Sequence, residues 1–201
     1  MIRVVAFDIG KVLLDFDYDI FLDRVAPRTH LDISALDRLL NQSPLLAEYE
    51  SGSLDCAAFF EEFQKESGYT GTRGEFAALF ADIFTPIEEV VALHKQIAVS
   101  GLPTYTLSNT NPMAVQHIQQ TYSFWPLFTD HVLSYEHGSL KPQSELYYQL
   151  EVVSDCSGKE IAYLDDRPEN VATGKARGWK AIQFENPDQV QSAFQLMGFS
   201  V

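Results

Sequence analysis

Five short apolar runs recur along this chain, and from residue 86 onward they alternate with segments of helical periodicity. The runs occupy 2–7, 102–107, 130–133, 160–164 and 180–184. The first contains the β-branched residues Ile2, Val4 and Val5, and its dense apolar character favours a buried parallel strand over a half-exposed one. The alternation predicts an α/β fold built on a doubly wound parallel sheet, with right-handed crossovers.

Capping signals indicate where several helices begin. Thr85 to Glu88 combines a capping box with proline at the first helical position. Asn111-Pro112 and Asn186-Pro187 repeat the arrangement of a cap followed by proline. Ser34 with Asp37, and Thr72 with Glu75, give two further capping signatures.

Residues 16–85 interrupt the alternation, because they show helical patterns and no convincing strand. We interpret this segment as a small helical cap inserted after the first strand, lying as a lid over the crevice next to Asp8. An ordinary helical elaboration of the core is the alternative. The predicted division is therefore a core of 1–15 and 86–201 and a cap of 16–85, with boundaries placed where the pattern changes.

Polar residues stand at the ends of the apolar runs. Asp8 follows the first run, Ser108 and Asn109 follow the second, and Asp165 with Asp166 follows the fourth, while Lys141 precedes Pro142. Strands of an open α/β sheet deliver such residues to one crevice at their carboxyl ends. A carboxylate, hydroxyl and amide donors, a cation and an acid pair suit phosphoryl transfer, which depends on positioning and on positive charge near the phosphoryl oxygens. Taken singly, Asp8 can be a turn former, Lys141 a solvated surface residue and the acid pair a helix start.

Four segments resemble, in order, motifs I to IV of the haloacid dehalogenase-like (HAD) hydrolase superfamily. They are FDIGKVLLD at 7–15, LSNT at 107–110, SLKP at 139–142 and YLDDRPEN at 163–170. The helical insertion between motifs I and II is similar to that of members with a C1 cap. Gly10 departs from the usual pattern, which has a second Asp there. FDIGKVLLDFD resembles bacterial phosphatase-like members with Gly at this position, including the glucose-1-phosphatase type.

The resemblance implies catalytic and phosphate-binding roles. Asp8 would be the nucleophile that forms an aspartyl-phosphate. Lys141 would neutralise the nucleophile and the transferring group as a point charge. Ser108 and Asn109 would bind the phosphoryl group and orient the substrate.

The resemblance also implies a Mg²⁺ site, whose hard oxygen ligands water and substrate phosphate would complete. Its ligands would be Asp8, the main-chain carbonyl of Gly10, Asp166 as the principal acid and Asp165 beside it. Asn170 would support these ligands.

The expected function is a Mg²⁺-dependent phosphatase acting on small phosphomonoesters. Gly10 cannot protonate a leaving group, so sugar 1-phosphates are a candidate class, because an anomeric hydroxyl leaves more readily than an ordinary alcohol. Lys11 is disfavoured as a substitute acid, since neighbours on an extended segment point in opposite directions. The alternatives are a metal-independent 2-haloacid dehalogenase and a catalytically weak phosphometabolite-binding protein.

The composition limits the kinds of binding partner that the chain can have. The formal charge is −14, which disfavours nucleic acid and anionic membranes. No apolar stretch approaches the ~20 residues that span a bilayer, and a cytoplasmic location is expected. Cys56 and Cys156 are expected to be buried and unpaired. Tyr49, Glu50 and Phe59 are either substrate contacts or core residues of the cap, and the oligomeric state is left open.

Overall fold

The computed structural model describes residues 1–199. The strands are β1 (Val4–Phe7), β2 (Leu14–Phe16), β3 (Phe84–Pro86), β4 (Thr104–Ser108), β5 (Asp130–Leu133), β6 (Ile161–Asp165) and β7 (Lys180–Gln183). The α-helices are α1 (Tyr18–Val25), α2 (Ile33–Asp37), α3 (Leu45–Glu50), α4 (Cys56–Ser67), α5 (Arg73–Ala81), α6 (Glu88–Val99), α7 (Pro112–Thr121), α8 (Ser134–His137), α9 (Ser144–Ser154), α10 (Pro168–Ala176) and α11 (Pro187–Leu196).

The main sheet has five parallel strands in the order β5-β4-β1-β6-β7. Strand β1 is buried along its whole length and lies at the centre, paired with β4 on one side and β6 on the other. The chain builds outward from β1 through β4 to β5, and then returns to build β6 and β7 on the other side. The predicted α/β fold is confirmed, and the strand order reverses beside β1, where ligands of such sheets bind.

Helices α1 to α5 pack around an apolar cluster distinct from the two that flank the main sheet. Its centre is aromatic: the ring of Phe80 lies 5.2 Å from that of Phe21 and 5.2 Å from that of Phe59. Such edge-to-face contacts add about 0.5–1.5 kcal/mol per pair beyond area burial. The division into a core and a cap stays a prediction.

A small antiparallel sheet lies at both predicted boundaries. Asp15 of β2 pairs with Thr85 of β3, and Phe16 pairs with Phe84. The expectation of no strand in 16–85 is therefore wrong at its two ends. Each of these strands has only three residues, too short for a periodic signal in the sequence.

Two of the predicted caps are also wrong. Thr85 and Pro86 lie in β3, because pairing with β2 uses their backbone, and α6 starts at Glu88 without a side-chain cap. Helix α2 is capped by Asp32, whose carboxylate accepts a hydrogen bond from the Ala35 amide, so Ser34 lies inside the helix. The predictions at Thr72, Asn111 and Asn186 are confirmed: their side chains accept hydrogen bonds from backbone amides at the starts of α5, α7 and α11.

Candidate active site

Three buried polar residues meet where the central strands end. Asp8 directly follows β1, Ser108 is the last residue of β4 and Asp165 is the last residue of β6. Because β1 pairs with both other strands, the three residues lie side by side. Carboxylate oxygens of Asp8, Asp165 and Asp166 lie within 4.8 Å of one another. The structure thus brings together the acids that the sequence placed at separate strand ends.

Lys141 enters this acid cluster from the segment between α8 and α9. Its Nζ lies 3.0 Å from Asp8 Oδ2, and it donates to Asp165 Oδ2 at 2.6 Å and to the Leu107 carbonyl at 2.8 Å. Burial acts to lower the pKa of Lys141, but the two carboxylates outweigh burial and raise it. Lys141 is only 4% exposed, so the interpretation as a solvated surface residue is wrong.

Asn109 holds the backbone of Lys141. Its Oδ1 accepts a hydrogen bond from the Lys141 amide at 2.7 Å, and its Nδ2 donates to the Lys141 carbonyl at 3.1 Å. Both ends of the side-chain amide are therefore used for positioning the cation. The predicted contact of Asn109 with substrate stays a prediction, as does the phosphate contact of Ser108, whose hydroxyl lies 3.4 Å from the Asn109 carbonyl.

Asp165 is fully buried and saturated with donors. Besides Lys141, it accepts hydrogen bonds from the Tyr163 hydroxyl, the Arg167 amide at 2.8 Å and Asn170 Nδ2 at 3.0 and 3.1 Å. Burial acts to raise the pKa of Asp165, but Lys141 and these hydrogen bonds outweigh it, and the pKa is lowered. Asp165 is therefore a stable carboxylate that fixes Lys141.

The pKa of Asp8 shifts in the opposite direction to that of Asp165, although both carboxylates contact Lys141. Burial, and then the charge of Asp165, raise the pKa of Asp8 to about 7, and Lys141 and a hydrogen bond from Ser108 only partly oppose this. The contrast follows from geometry, because Lys141 lies nearer to Asp165 and Asp165 has more donors. Asp8 is thus the less compensated carboxylate of the pair.

Asp166 is less compensated than its neighbour Asp165. It is half-buried, and its own backbone amide and the charges of Lys141 and Arg167 are the groups that stabilise its carboxylate. Burial and the charge of Asp165 raise its pKa. The Oδ1 atom of Asn170 is also buried without a partner. The partly compensated carboxylates of Asp8 and Asp166 fit a hard divalent cation, whereas Asp165 has less free lone-pair capacity.

A small cavity of about 40 Å³ lies beside this cluster. Gly10, Phe16, Tyr18, Glu50 and Ser108 line it, together with seven further residues. A Cβ atom on Gly10 would lie 2.8 Å from Cε1 of Phe16, so the Phe16 ring occupies the space that a side chain at position 10 would need.

Lys11 is directed away from this space. Its Nζ lies 2.5 Å from Asp15 Oδ1 and 2.7 Å from the Phe16 carbonyl. The interpretation that Lys11 does not replace an acid at position 10 agrees with these contacts, but the reason given for it is wrong, because Lys11 lies in a turn with φ +58° and not on an extended segment.

Of the three residues considered as possible substrate contacts, two lie in the core and one lines the cavity. Tyr49 and Phe59 are fully buried and stack on each other with ring centroids 4.2 Å apart, so they belong to the core of the helical segment. Glu50, at the end of α3, lines the cavity. Burial, and then the charge of Asp8, raise the pKa of Glu50 to about 7, and Arg167 and Lys141 oppose this.

Sequence reasoning missed Tyr163, Phe16 and Tyr18. A signal for Tyr163 existed, because it precedes Asp165 by two residues on one strand, and side chains two apart share a face. Phe16 and Tyr18 carried no such signal, since Phe16 approaches Gly10 from the small β2–β3 sheet and Tyr18 packs on the Phe16 ring.

Both cysteines are free. Cys156 is buried, but Cys56 is partly exposed, so the expectation of burial is wrong for Cys56. None of the helices in residues 1–199 is long and apolar enough to cross a membrane.

The chain is similar to a curated phosphatase and to solved structures. A D-ribitol-5-phosphate phosphatase from Bacteroides thetaiotaomicron is 26% identical over 204 residues, covering 92% of this chain and 93% of that protein. The structure of a predicted HAD-like family hydrolase from Porphyromonas gingivalis has a TM-score of 0.83 at 21% identity and covers all of both chains. The chain is thus similar to a phosphatase in sequence and to a HAD-like hydrolase in fold.

A further similar structure contains magnesium and inorganic phosphate. A HAD family enzyme from Bacteroides thetaiotaomicron, in complex with magnesium and inorganic phosphate, has a TM-score of 0.81 at 19% identity, covering 92% of this chain and 95% of that one. At such identities the solved structures establish the HAD-like fold alone. No protein-family model matches the chain.

Proposed function

We propose that this chain is a Mg²⁺-dependent phosphatase that hydrolyses small phosphomonoesters through an aspartyl-phosphate on Asp8. The observation that carries the proposal is the buried pair of Asp8 Oδ2 and Lys141 Nζ, 3.0 Å apart, together with a carboxylate oxygen of Asp166 within 4.8 Å of one of Asp8. A nucleophilic carboxylate, a fixed cation and a cation-binding acid are the parts that phosphoryl transfer needs. The similarity to a D-ribitol-5-phosphate phosphatase supports the same reaction class.

Each residue has a stated role in this proposal. Asp8 attacks phosphorus, and Lys141 stabilises the charge on the phosphoryl oxygens while Asp165 and Asn109 hold it in place. Ser108 donates its hydroxyl to another phosphoryl oxygen. Asp8 and Asp166, with the carbonyl of Gly10, would hold Mg²⁺, which when bound supplies positive charge against the phosphoryl group.

The finer assignment is to the C1-cap subgroup and to the glucose-1-phosphatase type, with sugar 1-phosphates as the substrate class. Gly10 and the Phe16 ring support it, because they leave no carboxyl at position 10 to protonate a poor leaving group. An anomeric hydroxyl departs more readily than a primary sugar alcohol, so it depends least on a proton donor from another element. The physiological substrate is small and phosphorylated.

A panel of phosphorylated metabolites, assayed with Mg²⁺ and with excess EDTA, tests the proposal. Phosphate release that requires Mg²⁺ and disappears in Asp8→Asn supports it. Asp15→Asn is the matched control, because Asp15 lies on the same segment but is exposed and paired with Lys11. Halide release from 2-haloacids in EDTA would instead support the dehalogenase, and phosphate binding without turnover would support a binding protein.

A further inference from the structure

Position 10 lacks the proton donor that a phosphomonoesterase needs. Protonation of the leaving oxygen by a positioned acid contributes about 10²–10⁴-fold to such reactions. Gly10 has no side chain, Phe16 fills the adjacent space, and Lys11 is held by Asp15. If the donor is a protein group, it must come from another element that faces the same cavity.

Glu50 is the carboxyl group that faces this cavity from the helical segment. It lines the space with Gly10 and Ser108. It lies at the end of α3, and the cavity it lines is also lined by Ile9, which follows Asp8, and by Ser108 at the end of β4. The charges facing it are those of Asp8, Arg167 and Lys141.

The backbone around Glu50 is fixed against the core. The Ser134 hydroxyl donates to the Glu50 carbonyl at 2.5 Å. Two residues later, Gly52 has φ +75°, and a Cβ atom there would lie 2.2 Å from the Tyr135 carbonyl oxygen. Only glycine allows this approach. The contacts tie the end of α3 to α8, so the position of Glu50 over the cavity does not depend on a mobile loop.

We propose that Glu50 is the general acid of the phosphatase reaction, and this inference rests on the function proposed above. As Asp8 attacks phosphorus, the bond from phosphorus to the leaving oxygen breaks, and the Glu50 proton passes to that oxygen to give the free alcohol. The Glu50 carboxylate then accepts a proton from the water that attacks the aspartyl-phosphate. The bond from Asp8 to phosphorus breaks, giving inorganic phosphate, and both side chains return to their starting states.

Tyr18 also carries a hydroxyl and lines the same cavity. Its pKa is raised well above the ordinary value by burial and by the charge of Glu50. A donor that holds its proton so tightly is poorly matched to a neutral operating pH. Tyr18→Phe therefore serves as the variant that separates the two candidates.

The test measures kcat/KM at saturating Mg²⁺ over phosphomonoesters whose leaving alcohols range from acidic phenols to primary alcohols. In Glu50→Gln, we expect losses of about 10²–10³-fold for the most basic leaving groups and little loss for the most acidic phenols. The dependence on leaving-group basicity should therefore steepen. Glu50→Asp should recover part of the loss. Glu48→Gln, an exposed change on the same helix, and Tyr18→Phe should keep the wild-type dependence.

A pre-steady-state measurement gives a second readout. With an acidic phenol as leaving group, Glu50→Gln should release about one equivalent of phenol in a burst, because hydrolysis of the aspartyl-phosphate has lost its base.

Three outcomes overturn the inference while the wild type turns over: an equal loss for all substrates, no loss at all, or the same steepening in Tyr18→Phe. A wild type without Mg²⁺-dependent turnover on any substrate overturns the proposed function instead, and the inference with it.

Discussion

Replacing the nucleophile should stabilise the metal-free protein. Asp8 is 7% exposed and shares one cation with Asp165, and these surroundings raise its pKa from an ordinary 3.8 to about 7. The ionised form of Asp8 is therefore less stable in the folded chain than in the unfolded one. Asp8→Asn keeps the shape of the side chain and removes the charge, while Lys141 retains its contact with Asp165.

The sign and size of the effect follow from linkage. A carboxyl whose pKa is higher in the folded state favours folding at low pH and loses that contribution as pH rises from 3.8 to about 7. Each pKa unit corresponds to about 1.4 kcal/mol, so the full penalty for ionised Asp8 is about 4 kcal/mol. The advantage of Asp8→Asn should therefore grow by about 3 kcal/mol between pH 5 and pH 8, and then level off.

Urea denaturation in EDTA at pH 5 and pH 8 measures this difference as a change in the free energy of unfolding. Asp165→Asn is the opposing control: its pKa is lowered, so its charge stabilises the fold above the ordinary pKa, and the variant should lose stability at both pH values. Mg²⁺ should narrow the gap between wild type and Asp8→Asn by binding the folded wild type. An Asp8→Asn variant less stable than wild type at pH 8, or a difference independent of pH, would refute the reasoning.

Three further predictions follow from the site. Asp166→Ala should abolish Mg²⁺-dependent phosphate release, as EDTA should in the wild type; full activity of either in a phosphatase assay would remove the metal from the mechanism. Asn109→Ala should cost about 1–3 kcal/mol in urea denaturation, because a buried backbone amide of Lys141 loses its partner, and kcat should fall with it; unchanged kcat would mean that Lys141 is positioned by other contacts. Gly10→Asp alone should lose stability because of the 2.8 Å approach to Phe16, whereas Gly10→Asp combined with Phe16→Ala should restore kcat/KM for basic leaving groups in the Glu50→Gln variant; no recovery would mean that the added carboxyl does not reach the leaving oxygen.

The predictable parts of this structure were those encoded over short stretches of sequence. The buried strands are continuous apolar segments, and a polar residue at the end of each one must emerge at the same edge of a parallel sheet. That rule alone placed Asp8, Ser108 and Asp165 together, which the structure bears out. The caps at Thr72 and Asn111 were equally local, because each depends on one side chain and one nearby amide.

The parts that could not be predicted depend on contacts between distant segments. Thr85 and Pro86 are residue types typical of a helix start, but pairing with residues 14–16 makes them part of a strand. The same pairing holds Phe16 against Gly10. Phe16 therefore fills the space beside Gly10 because of a strand about 70 residues further along the chain. Glu50 and Tyr49 are neighbours in sequence, and only packing determined that Tyr49 enters the core and Glu50 faces the cavity.

One cation between two carboxylates explains how the site keeps its nucleophile reactive. If Lys141 served Asp8 alone, the attacking carboxylate would be fully compensated and its charge would gain little from an incoming cation. Asp165 takes the shorter contact and is further held by Tyr163 and Asn170, so Asp8 is left with residual electrostatic strain. A divalent cation therefore stabilises Asp8 by more than it would stabilise a carboxylate that already has all its hydrogen bonds, and so does the redistribution of charge in the transition state. The ionised Asp8 lowers the folding stability of the metal-free chain, and binding of a cation at Asp8 relieves that same penalty.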